Sequence, residues 1–188
     1  GHIGCPPPLM AALPALGIIA INGVGVDKVD LAEAARRGIG VTNTPDVLTA
    51  DVADLAIGLV IDLLRGIARG DLHVREGHWP SGDRPLAHRV SGRKFGIVGL
   101  GRIGRATADR LAAFGPVRYN GGSAKDAPYD FEPDLLALAS WADVLLLTCP
   151  ANAQTYRLIG KDVLDALGPQ GFLVNVARGA VVDEAALI

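Results

Sequence analysis

Phe95-Gly96-Ile97-Val98-Gly99-Leu100-Gly101-Arg102-Ile103-Gly104 decides the fold of this chain. Residues 95–98 predict a short buried strand, and a helix follows from about Ile103 to Phe114. The glycines at 99, 101 and 104 fit the pattern G-x-G-x-x-G. With 24 glycines in 188 residues, roughly 0.4 such matches would arise from composition alone. The place of the motif, directly after a strand and opening a helix, gives it meaning. There Gly99 permits a tight turn. Gly101 lets the backbone approach a pyrophosphate at the positive end of the helix, and Gly104 lets helix and strand pack closely. A glycine-rich turn that holds no ligand is the plain alternative.

The same alternation continues outward from this stretch. Strands are predicted at 117–119, 144–148 and 172–176, with helices at 135–139 and 161–167 and a last one starting at Asp183. Strands that are apolar throughout are buried on both faces, so four such β-α units give an α/β fold with a doubly wound, parallel, Rossmann-type sheet. Upstream, residues 17–21 and 39–42 read as strands. They flank the loop Asn22-Gly23-Val24-Gly25 and a helix, Leu31 to Arg37, capped by Asp30 and stopped by Gly38. This β-α-β unit is too small to hold a core alone. One long helix is predicted from Thr49 through Ile67. Its face of Ala53, Ile57, Val60 and Leu64 is too broad for the N-terminal part to cover. Residues 77–92 are polar, contain Gly and Pro, and carry Trp79, which suits an arm or linker. The expected division is 1–48, a partial domain; 49–92, a long helix and an arm; and 93–188, the dinucleotide-binding domain.

Composition removes several classes of function. Hydrophobic residues make up 49% and charged residues 20% of the chain, enough apolar material for a core. The formal charge of −2 leaves no basic excess for nucleic acid. Every apolar stretch is broken well short of the ~18 residues a membrane helix needs. Cys5 and Cys149 make neither a disulfide framework nor a metal spacing, and two reduced thiols suit a reducing, cytoplasmic compartment. Gly1-His2 reads as a cloning remnant.

Two further stretches carry candidate chemistry. A site for NAD would place an acid about 20 residues after the glycines, at the end of the next strand. Tyr119, Asn120 and Gly121 stand there instead. Gly121, Gly122, Ser123 and Lys125 offer backbone amides, a hydroxyl and a cation, which suit a 2′-phosphate. The pattern favours NADP and leaves NAD open, beside the bland reading of a glycine-rich turn with a surface lysine. Asn175-Val176-Ala177-Arg178-Gly179 ends the last predicted strand. Ligands of doubly wound sheets sit beyond the carboxyl ends of strands, where the guanidinium of Arg178 would offer a fork of donors to a carboxylate. The plain alternative is a surface arginine at a strand end.

Four motifs in order now carry a resemblance. They are Asn22-Gly23-Val24-Gly25-Val26-Asp27, Asn43 to Thr49 with Val52-Ala53-Asp54, Gly99 to Gly104, and Val174 to Gly179 with Val182-Asp183. The chain resembles the D-isomer-specific 2-hydroxyacid dehydrogenases over nearly its whole length, most of all their hydroxypyruvate/glyoxylate or hydroxyphenylpyruvate reductase branch. The resemblance implies an oxidoreductase that reduces a small 2-keto acid to the D-2-hydroxy acid with NAD(P)H, working as a homodimer. Arg178 would bind the substrate carboxylate and polarise the keto oxygen, and the amides of Val24 and Gly25 would hold that carboxylate. Leu100, Gly101, Arg102 and Ile103 would hold the pyrophosphate. Thr148, Cys149, Pro150, Val176 and Ala177 would line the nicotinamide end. Residues 70–90 would be the arm used in dimers, the helix from Thr49 the interdomain helix, and residues 1–48 part of a second, flavodoxin-like substrate-binding domain.

Two departures stand out. Gly121, Gly122 and Ser123 align with a Ser-Arg-Ser-like stretch of NADP-binding members, with Gly122 in place of the arginine. The family's acid/base pair, a histidine with a glutamate, comes well after the arginine. Here His2, His73, His78 and His88 all precede Gly99, and Glu184 is too close to Arg178 to match. The expectation is therefore a chain lacking the family's N- and C-terminal parts, which binds dinucleotide better than it turns over substrate. A non-catalytic fragment and an NAD(P)-sensing binding protein remain the alternatives.

Overall fold

The structure is a computed structural model that describes residues 4–188. The remnant read at Gly1-His2 lies outside the described residues. The chain divides into two compact units, Gly1–Ala50 and Asp51–Ile188.

The first unit holds helix α1 (Pro7–Ala11), strand β1 (Ile18–Ala20), helix α2 (Leu31–Arg36) and strand β2 (Gly40–Thr42). The two strands pair in parallel, Ile19 opposite Val41. The carboxylate of Asp30 caps α2 by accepting the Glu33 N–H at 2.9 Å, as the sequence indicated. Helix α1 was not foreseen. It spans little more than one turn, too short for periodicity to show, but prolines in its first turn favour a helix start. Cys5, Met10, Ile21, Val29, Ala34 and Ile39 form the core of this unit.

The second unit is built on a five-stranded parallel sheet. Its strands are β3 (Phe95–Val98), β4 (Val117–Asn120), β5 (Asp130–Phe131), β6 (Val144–Leu147) and β7 (Phe172–Asn175), in the order β5-β4-β3-β6-β7. Helices α5 (Arg102–Leu111), α6 (Leu135–Trp141), α7 (Lys161–Leu167) and α8 (Glu184–Leu187) alternate with the strands. Strands β3 and β6 are buried at every residue, as their unbroken apolar runs predict. The edge strand β5 is an addition to the four strands expected, being two residues long and showing no period of its own.

The region before the sheet corrects two expectations. The helix expected from Thr49 through Ile67 is α3 (Thr49–Arg65), and a second helix that was not expected, α4 (Ile67–Arg75), follows it. They are separated by Gly66 in the left-handed conformation (φ 62°). That geometry ends the first helix, and the Arg84 guanidinium donates to the Gly66 carbonyl at 3.2 Å. The apolar face also differs from the one expected. Ala53, Val60 and Leu64 are fully or almost fully buried, and Ala56, Val60 and Leu64 pack into the core with Phe95, Ile97 and Leu111. The uncovered stripe is Leu55, Leu59 and Leu63, which are 57%, 39% and 40% exposed.

The parallel register sets the level of the site. Val98 stands opposite Asn120 on one side and Leu147 on the other, and Leu147 stands opposite Asn175. The segments that follow β3, β4, β6 and β7 therefore leave the sheet from one edge. The chain passes to opposite sides of β3 in forming β4 and β6, which is the switch point where doubly wound sheets bind ligands.

Candidate functional site

The three motif glycines do different work. Gly99 has φ 99°, and a Cβ there would stand 2.6 Å from the Cys149 Cα. A Cβ at Gly104 would stand 2.1 Å from the Gly99 carbonyl oxygen and 2.7 Å from Thr148 Oγ1. Both glycines are thus required by the close approach of helix, turn and β6. Gly101 is required by neither conformation nor contact. Its backbone is extended (φ −80°, ψ −163°) and a Cβ there would meet nothing within 4 Å. The space a side chain would fill lies at the N-terminus of α5, which no side chain caps. The N–H groups of a first helical turn and the positive end of its dipole favour an anion. The residues present therefore fit the pyrophosphate of a dinucleotide.

Around this cradle, Leu100 turns its side chain into the core, so only its backbone can serve a ligand. Gly101 and Arg102 are exposed and Ile103 half-buried. Thr148 is a brace that the sequence reading did not identify as such. Its hydroxyl donates to the Gly99 carbonyl at 2.7 Å and locks the glycine turn to the end of β6. Cys149 is buried behind that turn, and burial pushes its thiol pKa up. It stays protonated at neutral pH and is packing, not a nucleophile. Pro150 is exposed, and its carbonyl accepts the Thr155 hydroxyl at 2.6 Å.

Val176 and Ala177 are half-buried after β7, and Arg178 is exposed beside them. Asn175 shapes this turn. Its Oδ1 accepts the Ala177 N–H and its Nδ2 donates to the Arg178 carbonyl, both at 2.9 Å. The Arg178 Nη1 donates to the Ala177 carbonyl at 2.8 Å. Sequence reasoning passed over Asn175, although a lone polar residue closing an apolar strand two positions before a free N–H is the mark of an Asx turn.

On the β4 side, Gly121 is half-buried and Gly122, Ser123 and Lys125 are exposed. A Cβ at either glycine would meet nothing within 4 Å. Lys125 Nζ donates to Ser123 Oγ at 3.3 Å, which brings the one cation and the one hydroxyl of the loop together. The Asn120 amide donates to the carbonyls of Glu132 and Pro133 at 2.8 and 3.0 Å.

Val24 and Gly25 belong to the first unit. Thr44 fixes their loop by accepting the Gly23 N–H and returning its own N–H to the Gly23 carbonyl, both at 3.0 Å. Asn43 donates to the Val24 carbonyl at 2.9 Å. Among the described residues no hydrogen bond takes the N–H of Val24 or Gly25. Among them, too, no cluster of His, Cys, Asp and Glu could hold a metal ion, and no helix is long and apolar enough to cross a membrane.

Residues 57–188 match the family model for the D-isomer specific 2-hydroxyacid dehydrogenase, NAD binding domain. The chain belongs to the D-isomer specific 2-hydroxyacid dehydrogenases. The 2-ketogluconate reductase of Gluconobacter oxydans (strain 621H) is 48% identical over 190 residues, which cover 100% of this chain and 61% of that dehydrogenase. The hydroxyphenylpyruvate reductase of Plectranthus scutellarioides is 47% identical over 189 residues, 100% of this chain and 60% of the relative. Among solved structures, the NADPH-dependent glyoxylate/hydroxypyruvate reductase from Sinorhizobium meliloti, in complex with NADP and malonate, superposes with a TM-score of 0.94 at 46% identity. That match covers 98% of this chain and 59% of the other. The chain thus spans about three fifths of the length of these dehydrogenases.

Proposed function

We propose that this chain is the cofactor-binding and carboxylate-gripping part of an enzyme that reduces a small 2-keto acid, of the hydroxypyruvate or glyoxylate type, to the D-2-hydroxy acid with NAD(P)H. The observation that carries the reading is the space at Gly101, which the fold does not need and an anion does, on the same sheet edge as Arg178. In this reading the N–H groups of residues 100–103 hold the pyrophosphate. Val176, Ala177, Cys149 and Pro150 offer a largely apolar wall for the nicotinamide. When bound, the reduced nicotinamide supplies hydride to the keto carbon. Arg178 holds the substrate carboxylate with its planar fork and places positive charge at the keto oxygen, where negative charge grows in the transition state. Val24 and Gly25 offer N–H groups to a carboxylate.

The β4 loop favours NADP. Residues 119–125 contain no acid, and Ser123 and Lys125 stand together at 3.3 Å. The Sinorhizobium relative, 46% identical, was solved with NADP. The exposed stripe Leu55, Leu59 and Leu63, with Trp79 72% exposed on the following segment, supports a two-fold dimer through α3 and the arm. Both cysteines are free and buried, which suits the cytoplasm.

The test joins binding and turnover. Calorimetry on the chain should show micromolar binding of NADPH and weaker binding of NADH. The complete natural protein should oxidise NADPH when given hydroxypyruvate or glyoxylate. Absence of binding to either dinucleotide would remove the reading, and binding without reduction of any 2-keto acid would leave a dinucleotide-binding protein only.

A further inference from the structure

The loop after β4 is held by more contacts than an exposed glycine-rich turn needs. Tyr119 is buried to 1% exposure in the core, yet its hydroxyl reaches out of the core to the loop. It accepts the Lys125 N–H at 2.6 Å and lies 3.3 Å from the Lys125 carbonyl. One residue further on, the Asp126 carbonyl accepts two N–H groups of the Arg105 guanidinium, at 2.8 and 2.7 Å, from the side of α5. Beyond that, the Tyr129 hydroxyl donates to Asp109, also on α5, at 2.5 Å. On the strand side, the Asn120 side chain ties the loop's start to Glu132 and Pro133. These four ties close the base of the loop and leave its tip, residues 121–124, without a Cβ contact at either glycine.

A loop that orders itself only when a ligand arrives loses conformational entropy at that moment, and the loss weakens binding. Here the base is ordered from the core side and the helix side, and no ligand is needed to set it. We infer that Tyr119 and Arg105 are positioning residues that pre-form the Gly121–Lys125 loop as the receiver of the 2′ substituent of the cofactor's adenosine ribose. The inference rests on the reading of that loop as the ribose end of the site. Neither residue touches the cofactor in this scheme. Tyr119 sets the Lys125 backbone, and with it the place from which the Lys125 ammonium reaches Ser123. Arg105 sets the next peptide. The tip glycines then present their N–H groups to whatever the ribose carries at its 2′ oxygen, a phosphate above all, because the loop offers one cation and no carboxylate between residues 120 and 125.

Tyr119→Phe removes the hydroxyl and keeps the ring in the core. Arg105→Lys keeps the cation on α5 and loses the two-pronged hold on Asp126. Dissociation constants for NADPH and for NADH are measured by calorimetry on the chain and both variants, with melting temperatures alongside. The loss of one hydrogen bond of ordinary strength should weaken NADPH about fivefold in Tyr119→Phe, with NADH changed less than about twofold. Arg105→Lys should act in the same direction. A merely structural hydroxyl would lower the melting temperature and weaken both cofactors by the same factor, and that result overturns the inference, as does an unchanged pair of constants. If Tyr119→Phe fails to fold, Arg105→Lys decides alone by the same ratio. A wild-type chain with no preference for NADPH defeats the NADP reading by itself. The positioning role is then judged separately, by whether the variants change one constant more than the other.

Discussion

At the scale of single residues, glycine separates function from fold. Gly104→Ala puts a Cβ 2.1 Å from the Gly99 carbonyl oxygen, so the helix must move off the turn. It should cost several kcal/mol, on the order of a large core disruption, and lower the melting temperature sharply. Gly101→Asp meets open space and an ordinary backbone conformation. It should leave melting nearly unchanged while abolishing NADPH binding in calorimetry, because a carboxylate then occupies the place of the pyrophosphate. Retained binding in that variant would end the cradle reading. Gly122 offers a gain in place of a loss, since a side chain there is also unobstructed. Gly122→Arg should strengthen NADPH binding by about 1–2 kcal/mol through a charge-assisted pair and leave NADH alone. Arg178 is tested in the complete natural protein by a series. Arg178→Lys keeps charge and loses the fork, and Arg178→Ala loses both, so KM should rise in that order with kcat falling as well. Cofactor affinity should stay nearly constant. Normal kinetics in Arg178→Ala would reduce this arginine to a surface residue.

Between elements, the tie from the β4–β5 loop to α5 gives a pH signature. Burial, then the hydrogen bond to the Asp109 carboxylate and its negative charge, push the Tyr129 pKa from 10.0 up to about 12. The folded state thus holds the phenol proton more tightly than the unfolded chain does. The stability this contributes is complete below pH 10 and is lost as pH rises from about 10 to about 12. Subtracting the melting curve of Tyr129→Phe from that of wild type, at steps between pH 9 and 12, should isolate the decline. A difference that stays flat across that range would show that Tyr129 titrates alike in both states. The same scale explains the break at Gly66. The left-handed glycine, the Arg84 guanidinium on its carbonyl and the Asp62 carboxylate accepting the Ala68 N–H at 2.7 Å separate α4 from α3.

For the whole molecule, the helix from Thr49 shows how burial decides what a pattern leaves open. Its apolar residues surround more than half the helix, and the sequence cannot say which stripe meets the sheet. The fold spends Ala56, Val60 and Leu64 on the core, leaving Leu55, Leu59 and Leu63 outside. A dimer through that stripe predicts that Leu59→Glu turns a dimeric species into a monomer by light scattering at micromolar concentration. Because association stabilises the folded chain by mass action, the melting temperature should also lose its dependence on protein concentration in the variant. A wild-type monomer under the same conditions would defeat the dimer.

The sequence by itself determined the elements whose signal is local. Unbroken apolar runs marked β3 and β6, Asp30 marked the start of α2, and the spacing of Gly99, Gly101 and Gly104 marked the turn between strand and helix. Motif order marked the family. Each of these depends on residues near in sequence, where periodicity and capping chemistry act. Only the tertiary structure decided what depends on distant partners: that Gly101 alone of the three glycines faces open space, that Thr148 braces the turn from 49 residues away, that Arg105 and Tyr119 converge on one loop, and which stripe of α3 stays exposed. Those outcomes are set by packing between segments far apart in the chain, and no local pattern encodes which of several suitable partners a side chain will meet.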